Sequence, residues 1–143
     1  MKSLRLLALI CLCLLPACSR HSVKDPPSQT YQGFEIKVLS VEGKGSEWTD
    51  SNNQRFPALG IGHQIAVAEI SFHALSKDGG ALSIHRLELS DDAGKTYPSL
   101  LTNIVLMREA NLERAVPWQV PFEVSEGAEF KTLRIADVAF DLK

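Results

Sequence analysis

Hydrophobic and polar residues alternate in short runs along most of the chain. The run YQGFEIKVLSV (31–41) places Phe34, Ile36 and Val38 on one face, and the polar residues between them fall on the other. A period of two residues is typical of a β-strand with one buried face. The run PWQVPFEV (117–124) repeats the pattern and predicts four core residues: Trp118, Val120, Phe122 and Val124.

Two further runs predict strands, one central and one interrupted. QIAVAEISFHA (64–74) is apolar on both faces at its start, as in a strand that is covered on both sides. LSIHRLEL (82–89) alternates, but its phase slips near His85 and Arg86. A β-bulge, which adds one residue to a strand, would absorb this slip.

The remaining segments combine turn signals with short strands. In DDAGKTYP (91–98), Gly94 suits a turn with a positive φ that returns the chain into a short strand. The segment 100–116 mixes helical spacing with β-branched residues, and we expect a short strand followed by a turn or a single helical turn. The closing run, residues 130–143, predicts strand with a change of phase near Ala136 and Asp137.

The pattern as a whole predicts an all-β fold. Several short strands with turns between them are typical of a sandwich or a barrel, and no internal repeat divides the region. Residues 31–143, about 113 residues, are long enough for one domain with its own core.

The N-terminal residues have the composition of an export signal. Lys2 and Arg5 precede an apolar run from Leu6 to Ala17, about twelve residues, whereas a helix needs roughly 20 to cross a bilayer. A basic start, a short apolar stretch and a small residue before the cleavage point are typical of a secretory signal peptide. Residues 1–17 are therefore predicted to be removed.

The leader ends in LPAC (15–18), which resembles the lipobox of bacterial lipoproteins. The resemblance implies that Cys18 is lipidated and becomes the N-terminus of the mature protein. By similarity to enterobacterial lipoproteins, Ser19 in place of an aspartate implies the outer membrane rather than retention in the inner one. We expect the domain to face the periplasm. The alternative is an ordinary signal peptide followed by a coincidental cysteine.

Residues 18–30 are predicted to be the lipidated cysteine and a flexible tether. The segment is polar, contains two adjacent prolines and has too few apolar residues to form a core. Fully extended, residues 19–30 would span roughly 35–40 Å. All three cysteines lie at or before residue 18, so the domain is expected to fold without disulfides.

The charge balance argues against one class of partner. The full chain carries 15 basic and 17 acidic residues, and removal of residues 1–17 takes two of the basic ones, which leaves a net charge of −4. A mildly acidic domain without a lysine or arginine run is a poor candidate for binding nucleic acid. We expect attachment to the membrane through the lipid.

Most of residues 33–142 resemble a telokin-like, immunoglobulin-like domain of unknown function that is common in secreted bacterial proteins and lipoproteins. The resemblance rests on the first two strands, on the late strand Phe122–Val124, and on a turn whose positions are filled by Leu89, Asp92, Gly94 and Tyr97. It implies an immunoglobulin-like β-sandwich. The family shares no catalytic residues, so the resemblance implies no enzyme activity.

The residues of the domain suggest neither catalysis nor metal binding. His63, His73 and His85 are candidates, but none stands in an HxH, HExxH or Cys/His spacing. Asp91 and Asp92 lie beside a glycine but lack the regular series of oxygen ligands of a calcium loop. The sequence has no G-x-S-x-G elbow and no Gly-rich phosphate loop. We therefore expect no enzyme activity, no metal and no cofactor.

The segment EGKGSEWTDSNNQRFPALGIG (42–62) lacks clear periodicity and is longer than most structureless loops, which makes it a candidate for function. It contains two aromatic residues, Trp48 and Phe56. One interpretation is that both side chains fold back and cap the sandwich. The other is that Trp48 and Phe56 face a ligand or a protein partner in the cell envelope.

The prolines of residues 117–124 predict where that strand lies. Pro117, Gln119 and Pro121 are alternate residues of the strand, so their backbone nitrogens point toward the same side of it. Because proline has no N–H group, two of the three backbone donors on that side are missing. We expect this strand at a sheet edge or beside a bulge, where it would resist the addition of a further strand.

Together these features predict an outer-membrane-anchored lipoprotein whose non-catalytic β-sandwich is a binding or accessory module of the cell envelope. Two alternatives stay open. A structural subunit for envelope assembly would have an exposed apolar patch or an open sheet edge. A small hydrolase or metal-dependent enzyme, the less favoured alternative, would have a converging cluster of polar side chains with shifted pKa values.

Overall fold

Antiparallel strands make up most of the fold, which is all-β as predicted. The computed structural model describes residues 20–22 and 26–143. The predicted leader and Cys18 lie outside the described residues. The elements in chain order are β1 (Arg20–Ser22), β2 (Ser28–Tyr31), β3 (Phe34–Gly45), β4 (Glu47–Thr49), β5 (Arg55–Pro57), β6 (His63–Ala74), β7 (Leu82–Ile84), β8 (Leu87–Asp91), β9 (Thr96–Pro98), β10 (Ile104–Leu106), α1 (Arg108–Leu112), β11 (Val116–Ser125), β12 (Phe130–Ile135) and β13 (Val138–Asp141).

Five strands form the larger sheet, in the order β1–β3–β6–β11. β2 pairs with the same edge of β3 as β1 does, further along the strand. The central pair, β3 and β6, consists of two twelve-residue strands and contains two register shifts, one at Leu39 and one at Lys44. Such shifts bend and twist a strand.

A four-stranded sheet, in the order β13–β12–β8–β9, shares its hydrophobic core with the larger sheet. Alternate residues of β3, β6, β8, β11 and β12 point into one buried cluster. The predicted core positions of β3 and β11 are confirmed, except that Trp118 is half-buried at the margin of the cluster. The largest fully buried side chains are Phe34, Phe72, Phe122 and Phe140.

The two sheets are connected at both lateral edges. On one side, Ser99 follows β9 and forms an isolated bridge with β11, and the Leu100 amide donates to the carbonyl of Pro121 at 2.9 Å. On the other side, the side-chain amide of Gln29 in β2 donates to the carbonyl of Ala139 in β13. The layers are therefore held together by hydrogen bonds as well as by the core.

The prediction that β11 lies at a sheet edge is confirmed. β11 pairs with β6 along its length, and its other side has the isolated bridge to Ser99. The N–H and C=O groups of one strand residue point to the same side. The bond from Leu100 to the carbonyl of Pro121 therefore shows that the nitrogen of Pro121 also faces away from β6. The missing donor thus removes no hydrogen bond from the sheet.

The segment 100–116 contains a short strand and a helix, as predicted. β10 pairs with β7 in a two-stranded sheet. Helix α1 has five residues, and Nε2 of His73 donates to the carbonyl of Leu112 at 2.9 Å. In the part of the chain that the structure describes, no helix has the length and apolar character to cross a membrane.

Both phase irregularities mark boundaries between strands. At His85 and Arg86 the chain leaves β7, which pairs with β10, and enters β8, which pairs with β12. The expected bulge is therefore wrong, because the phase slips where two strands of different sheets follow one another. At Ala136 and Asp137 a two-residue turn joins β12 to β13, with Ala136 at a φ of 50°.

Part of the segment predicted as a tether pairs with the larger sheet. β1 pairs with Ser40–Glu42, and β2 pairs with Phe34–Lys37. The tether was predicted from a polar composition, which indicates only that few side chains can be buried. Strand pairing instead uses backbone groups, and the free groups of a strand edge can pair with any extended segment. Strand pairing therefore begins before residue 31, the predicted start of the domain.

Candidate functional site

The segment 42–62, predicted as an irregular loop, contains a β-hairpin. β3 continues to Gly45, and β4 then pairs with β5. The amide of Ala58 donates to the carbonyl of Ser46 at 2.8 Å and closes the base of the hairpin. Each strand of the hairpin has three residues, which is too few to produce a visible alternation in the sequence.

Asp50 closes the tip of this hairpin. Its Oδ1 accepts the amide N–H groups of Asn52 and Gln54, both at 2.8 Å. Its own amide donates to the carbonyl of Gln54 at 3.0 Å. Asn53 adopts a φ of 61°, in the left-handed region that asparagine tolerates better than most residues. The side-chain chemistry of Asp and Asn therefore forms the turn.

Trp48 and Phe56 lie directly opposite each other in the hairpin. Their ring centroids are 5.6 Å apart and their planes are inclined by 29°, so the rings stack. Phe56 is 7% exposed, whereas Trp48 is half-buried. The burial of Phe56 fits the capping interpretation, and Trp48 keeps part of its ring accessible to a ligand.

The hairpin packs against β3 and β6. Ile65 and Val67 of β6 alternate with residues of the main core, so they point to the opposite face of the sheet. Both are nevertheless buried, because the hairpin lies on that face. This second covered face explains the apolar start of β6.

A depression of about 250 Å³ lies between the hairpin and β11. Both tryptophans of the chain line it, and both are half-buried. The volume is below the roughly 300–1,000 Å³ typical of sites for drug-sized ligands, so the depression can hold one ring-sized group of a larger ligand. Its apolar walls are Trp48, Phe56, Leu101, Trp118 and Pro121.

Polar side chains complete the lining of this depression. Asp50 contributes a carboxylate and Ser51 a hydroxyl, while three exposed amides come from Asn52, Gln54 and Gln119. Each amide offers two donors and one acceptor oxygen. Among the described residues that line the depression, none is a lysine or an arginine. The depression therefore combines aromatic rings, neutral hydrogen-bonding groups and one negative charge.

Glu123 of β11 holds the segment that leads from the hairpin to β6. Its Oε1 accepts the amide N–H groups of Leu59 at 2.9 Å and Gly60 at 2.6 Å, and Nδ1 of His63 lies 3.0 Å away. Because a carboxylate only accepts, the His63 ring carries a proton on Nδ1 in this contact.

These contacts also set the charge state of Glu123. The Gly60 amide, followed by the hydrogen bonds from His63 and Leu59, lowers the pKa of Glu123 below its ordinary value, against an opposing effect of burial. The ionised carboxylate thus connects the end of the hairpin to the strand that forms the opposite wall of the depression.

A second depression, of about 220 Å³, shares Leu101 with the first. His85 and Arg86 line it. Nη2 of Arg86 lies 3.0 Å from Oε2 of Glu88, so the positive charge at this depression is paired. Because this positive charge is already paired with Glu88, the first depression is the better candidate for a ligand site.

The three candidate histidines do not converge on one site. His63 contacts Glu123, His73 contacts the carbonyl of Leu112, and His85 is exposed. Over residues 20–22 and 26–143, no group of three or more His, Cys, Asp or Glu side chains is placed to hold a metal ion.

Asp91 stabilises the predicted turn instead of forming part of a calcium loop. Its Oδ1 accepts the amides of Ala93 at 3.0 Å and Lys95 at 2.9 Å, and its Oδ2 accepts the hydroxyl proton of Tyr97 at 2.7 Å. These bonds, that of Tyr97 first, lower the pKa of Asp91. Gly94 has the expected positive φ, 81°.

The sequence indicated one wall of the candidate site and missed the other. Trp48 and Phe56 were predicted in a segment that either caps the sandwich or faces a ligand or partner, whereas Trp118 was predicted in the core and lies at the margin of the depression. Their proximity depends on the pairing of β11 with β6 and on the packing of the hairpin, which no local pattern encodes. One signal was available for Trp48, which lies between the polar residues Glu47 and Thr49, whereas the alternation around Trp118 predicts a core residue.

The chain is thus an all-β protein with a small depression of mixed polarity beside a sheet edge. Its structure is similar to the 2.2 Å crystal structure of a conserved hypothetical protein from Bacillus anthracis, with a TM-score of 0.52 and 9% sequence identity over 83% of this chain and 94% of that chain. At this identity the similarity concerns the fold. No protein-family model matches the chain, and no curated protein matches its sequence.

Proposed function

We propose that this protein is a lipoprotein of the outer membrane, anchored through Cys18, with an immunoglobulin-like β-sandwich that faces the periplasm. The basic and apolar leader and the LPAC sequence support the anchor. Two antiparallel sheets that share one buried core support the sandwich. The resemblance of residues 33–142 to a telokin-like domain supports both.

The proposed role of the domain is to bind a ligand or partner in the cell envelope without catalysis. The observation that carries this proposal is that Trp48 and Trp118 are both left half-buried around one depression. Tryptophan contributes a large apolar area when it is buried and is enriched among the residues that dominate binding energies. A pair of incompletely buried tryptophans at one site is therefore typical of a binding surface.

The titratable groups support a binding role rather than a catalytic one. The lowered pKa values of Glu123 and Asp91 come from hydrogen bonds that stabilise loops and turns. Asp50, the carboxylate that lines the depression, is engaged through Oδ1 in the hairpin turn.

Metabolic labelling with a fatty acid tests the anchor. We expect the wild-type protein to incorporate the label and a Cys18→Ser variant to lose it, because Cys18 is the last cysteine of the chain and the others lie in the leader. A labelled Cys18→Ser protein would contradict the proposed lipidation.

Capture from membranes tests the binding role. The intact protein would be purified as wild type and as a Trp48→Ala, Trp118→Ala double variant, and co-purifying molecules would be identified by mass spectrometry. Met107→Ala, at an exposed apolar residue outside the depression, is the matched control. We expect the control to retain what the wild type captures and the double variant to lose it. Equal capture by a folded double variant would contradict the proposal.

A further inference from the structure

The lining of the depression defines a chemical class of ligand. We infer that the site between the hairpin and β11 binds one neutral sugar ring of a glycan. This inference rests on the proposed binding function and adds the ligand class to it. The evidence for it is that aromatic rings, amides and a carboxylate line the same depression. The charge of the lining disfavours anionic ligands, and the backbone of β11 disfavours an extended peptide.

The aromatic side chains match the apolar face of a sugar. One face of a pyranose ring presents C–H groups, which carry partial positive charge and are attracted to the electron-rich face of an aromatic ring. Trp48 and Trp118 both line the depression with part of their surface accessible. Trp48 is stacked against Phe56, which holds the indole in one orientation. A ring held in place before binding loses little entropy when the ligand arrives.

The polar side chains match the hydroxyl groups at the edge of a sugar. Adjacent hydroxyls each donate and accept, while a planar amide supplies donors and an acceptor and an ionised carboxylate supplies acceptors. Asn52, Gln54 and Gln119 bring three exposed amides to the depression, and Asp50 brings a carboxylate. Because Oδ1 of Asp50 accepts two backbone amides, its Oδ2 is the oxygen that would face a ligand.

The charge of the site disfavours anionic ligands. The residues that line it in the described chain include one carboxylate and no lysine or arginine. A phosphate, a sulfate or a uronic acid would meet a like charge and no counter-charge. The nearby guanidinium of Arg55 is paired with Glu47 across the hairpin. A neutral ligand is therefore favoured.

The backbone of β11 disfavours an extended peptide. Strand addition needs a row of free donors and acceptors along the edge. Pro117 and Pro121 lack donors on that side, and the carbonyl of Pro121 already accepts the amide of Leu100. The contacts at this site must therefore come from side chains, as they do for a sugar.

The tryptophan content of the chain provides a direct probe. Because both tryptophans line the depression, intrinsic fluorescence reports on this site without a label. The full-length protein, in micelles of a detergent without a sugar headgroup, would be titrated with maltohexaose, cellohexaose and fully N-acetylated chitohexaose. We expect a saturable change in emission with at least one of these neutral oligosaccharides and none with polygalacturonate.

Amide variants test whether the change comes from hydroxyl recognition. Asn52→Ala and Gln119→Ala retain both tryptophans and alter exposed residues, so they should fold normally. Each should weaken binding by about tenfold, which corresponds to about 1.4 kcal/mol. Asn103→Ala, at an exposed amide outside the lining, is the matched control and should bind as the wild type does.

Two results would overturn the inference. One is the absence of a saturable change with any of the three oligosaccharides. The other is equal binding by the wild type and an Asn52→Ala, Gln119→Ala double variant. If membrane capture still depends on Trp48 and Trp118 in either case, the ligand class is wrong and the binding function stands. Absence of the fluorescence response, together with equal capture by the wild type and the folded Trp48→Ala, Trp118→Ala variant, would overturn both proposals.

Discussion

Arg108 joins three segments of the chain through its guanidinium group. Its Nε donates to the carbonyl of Gly80 at 2.9 Å, and its Nη2 donates to the carbonyl of Gln32 at 2.8 Å. The guanidinium carbon lies 4.8 Å from the centroid of the Phe34 ring. Gly33 permits this approach, since a Cβ there would lie 2.8 Å from Nη1. A single side chain thus connects the β2–β3 turn and the β6–β7 loop to helix α1.

We expect Arg108→Lys to lower the free energy of unfolding by about 1–2 kcal/mol, although the charge is kept. An ammonium group lacks the planar fork that reaches two carbonyls and lies over an aromatic ring. Urea unfolding measures the effect, with Arg114→Lys, at an exposed arginine, as the control. Equal midpoints for the two variants would contradict the role given to Arg108.

Glu123 makes a second residue-scale contribution, one that depends on pH. Its pKa in the folded protein is lower than its ordinary value of 4.5, chiefly through the Gly60 amide. A lowered pKa means that the ionised group stabilises the folded state. This contribution is complete above the unfolded value and is lost as the pH falls through the lower folded value.

Replacement by glutamine tests this pH dependence. Glu123→Gln should lower the free energy of unfolding by about 1–2 kcal/mol at about pH 7, since a neutral amide accepts the Leu59, Gly60 and His63 bonds less strongly. The difference from wild type should shrink as the pH falls below the ordinary value of 4.5 and through the lower folded value, because the wild-type carboxyl then becomes protonated. A difference that stays constant with pH would show that the charge has no part in the effect.

At the scale of elements, the prolines of β11 control what the sheet edge can pair with. We expect Pro117→Thr to keep the fold and to increase self-association, because it restores an N–H group that faces away from β6. Gln119→Thr is the matched control, since that position already has its donor on the same side. Sedimentation velocity measures the effect. A Pro117→Thr protein that stays as monomeric as the control would contradict this role of the proline.

Strands with one buried face were the elements that the sequence could predict. The alternation in β3 and β11 placed their core residues correctly except for Trp118, and the prolines placed β11 at an edge. The hairpin of β4 and β5 was missed because its strands are short and its turn depends on the side chain of Asp50. The break between β7 and β8 was taken for a bulge, since a change of sheet and an added residue produce the same phase slip.

At the scale of the whole molecule, the N-terminal strands complete the larger sheet. A chain that begins at residue 32 loses the pairing of β2 with β3 and the bond from Gln29 to Ala139. We expect it to unfold about 4 °C or more below a chain that begins at residue 26, which keeps both. It should also self-associate through the uncovered edge of β3. Equal thermal midpoints would show that the domain starts after β2.

The candidate site illustrates what a linear pattern leaves out. The chemistry of its walls was visible in the sequence, as two aromatic residues in one segment and a proline-bearing strand in another. Its formation needs β3 to pair with β6, β6 to pair with β11, and Glu123 to hold the chain that returns from the hairpin. These pairings join residues far apart in sequence, so they follow from the packing of the whole domain.

In the proposed lipid-anchored form, the pairing of β1 would limit the distance between the domain and the bilayer. Arg20 pairs with Glu42 in the larger sheet, two residues after Cys18. An extended chain covers about 3.3–3.6 Å per residue, so a lipid at Cys18 would keep this edge within about 7 Å of the headgroups. The depression at β11 lies three strand spacings further on, about 14 Å. The domain would therefore stay in a thin layer above the membrane, and its ligand would have to be present in that layer.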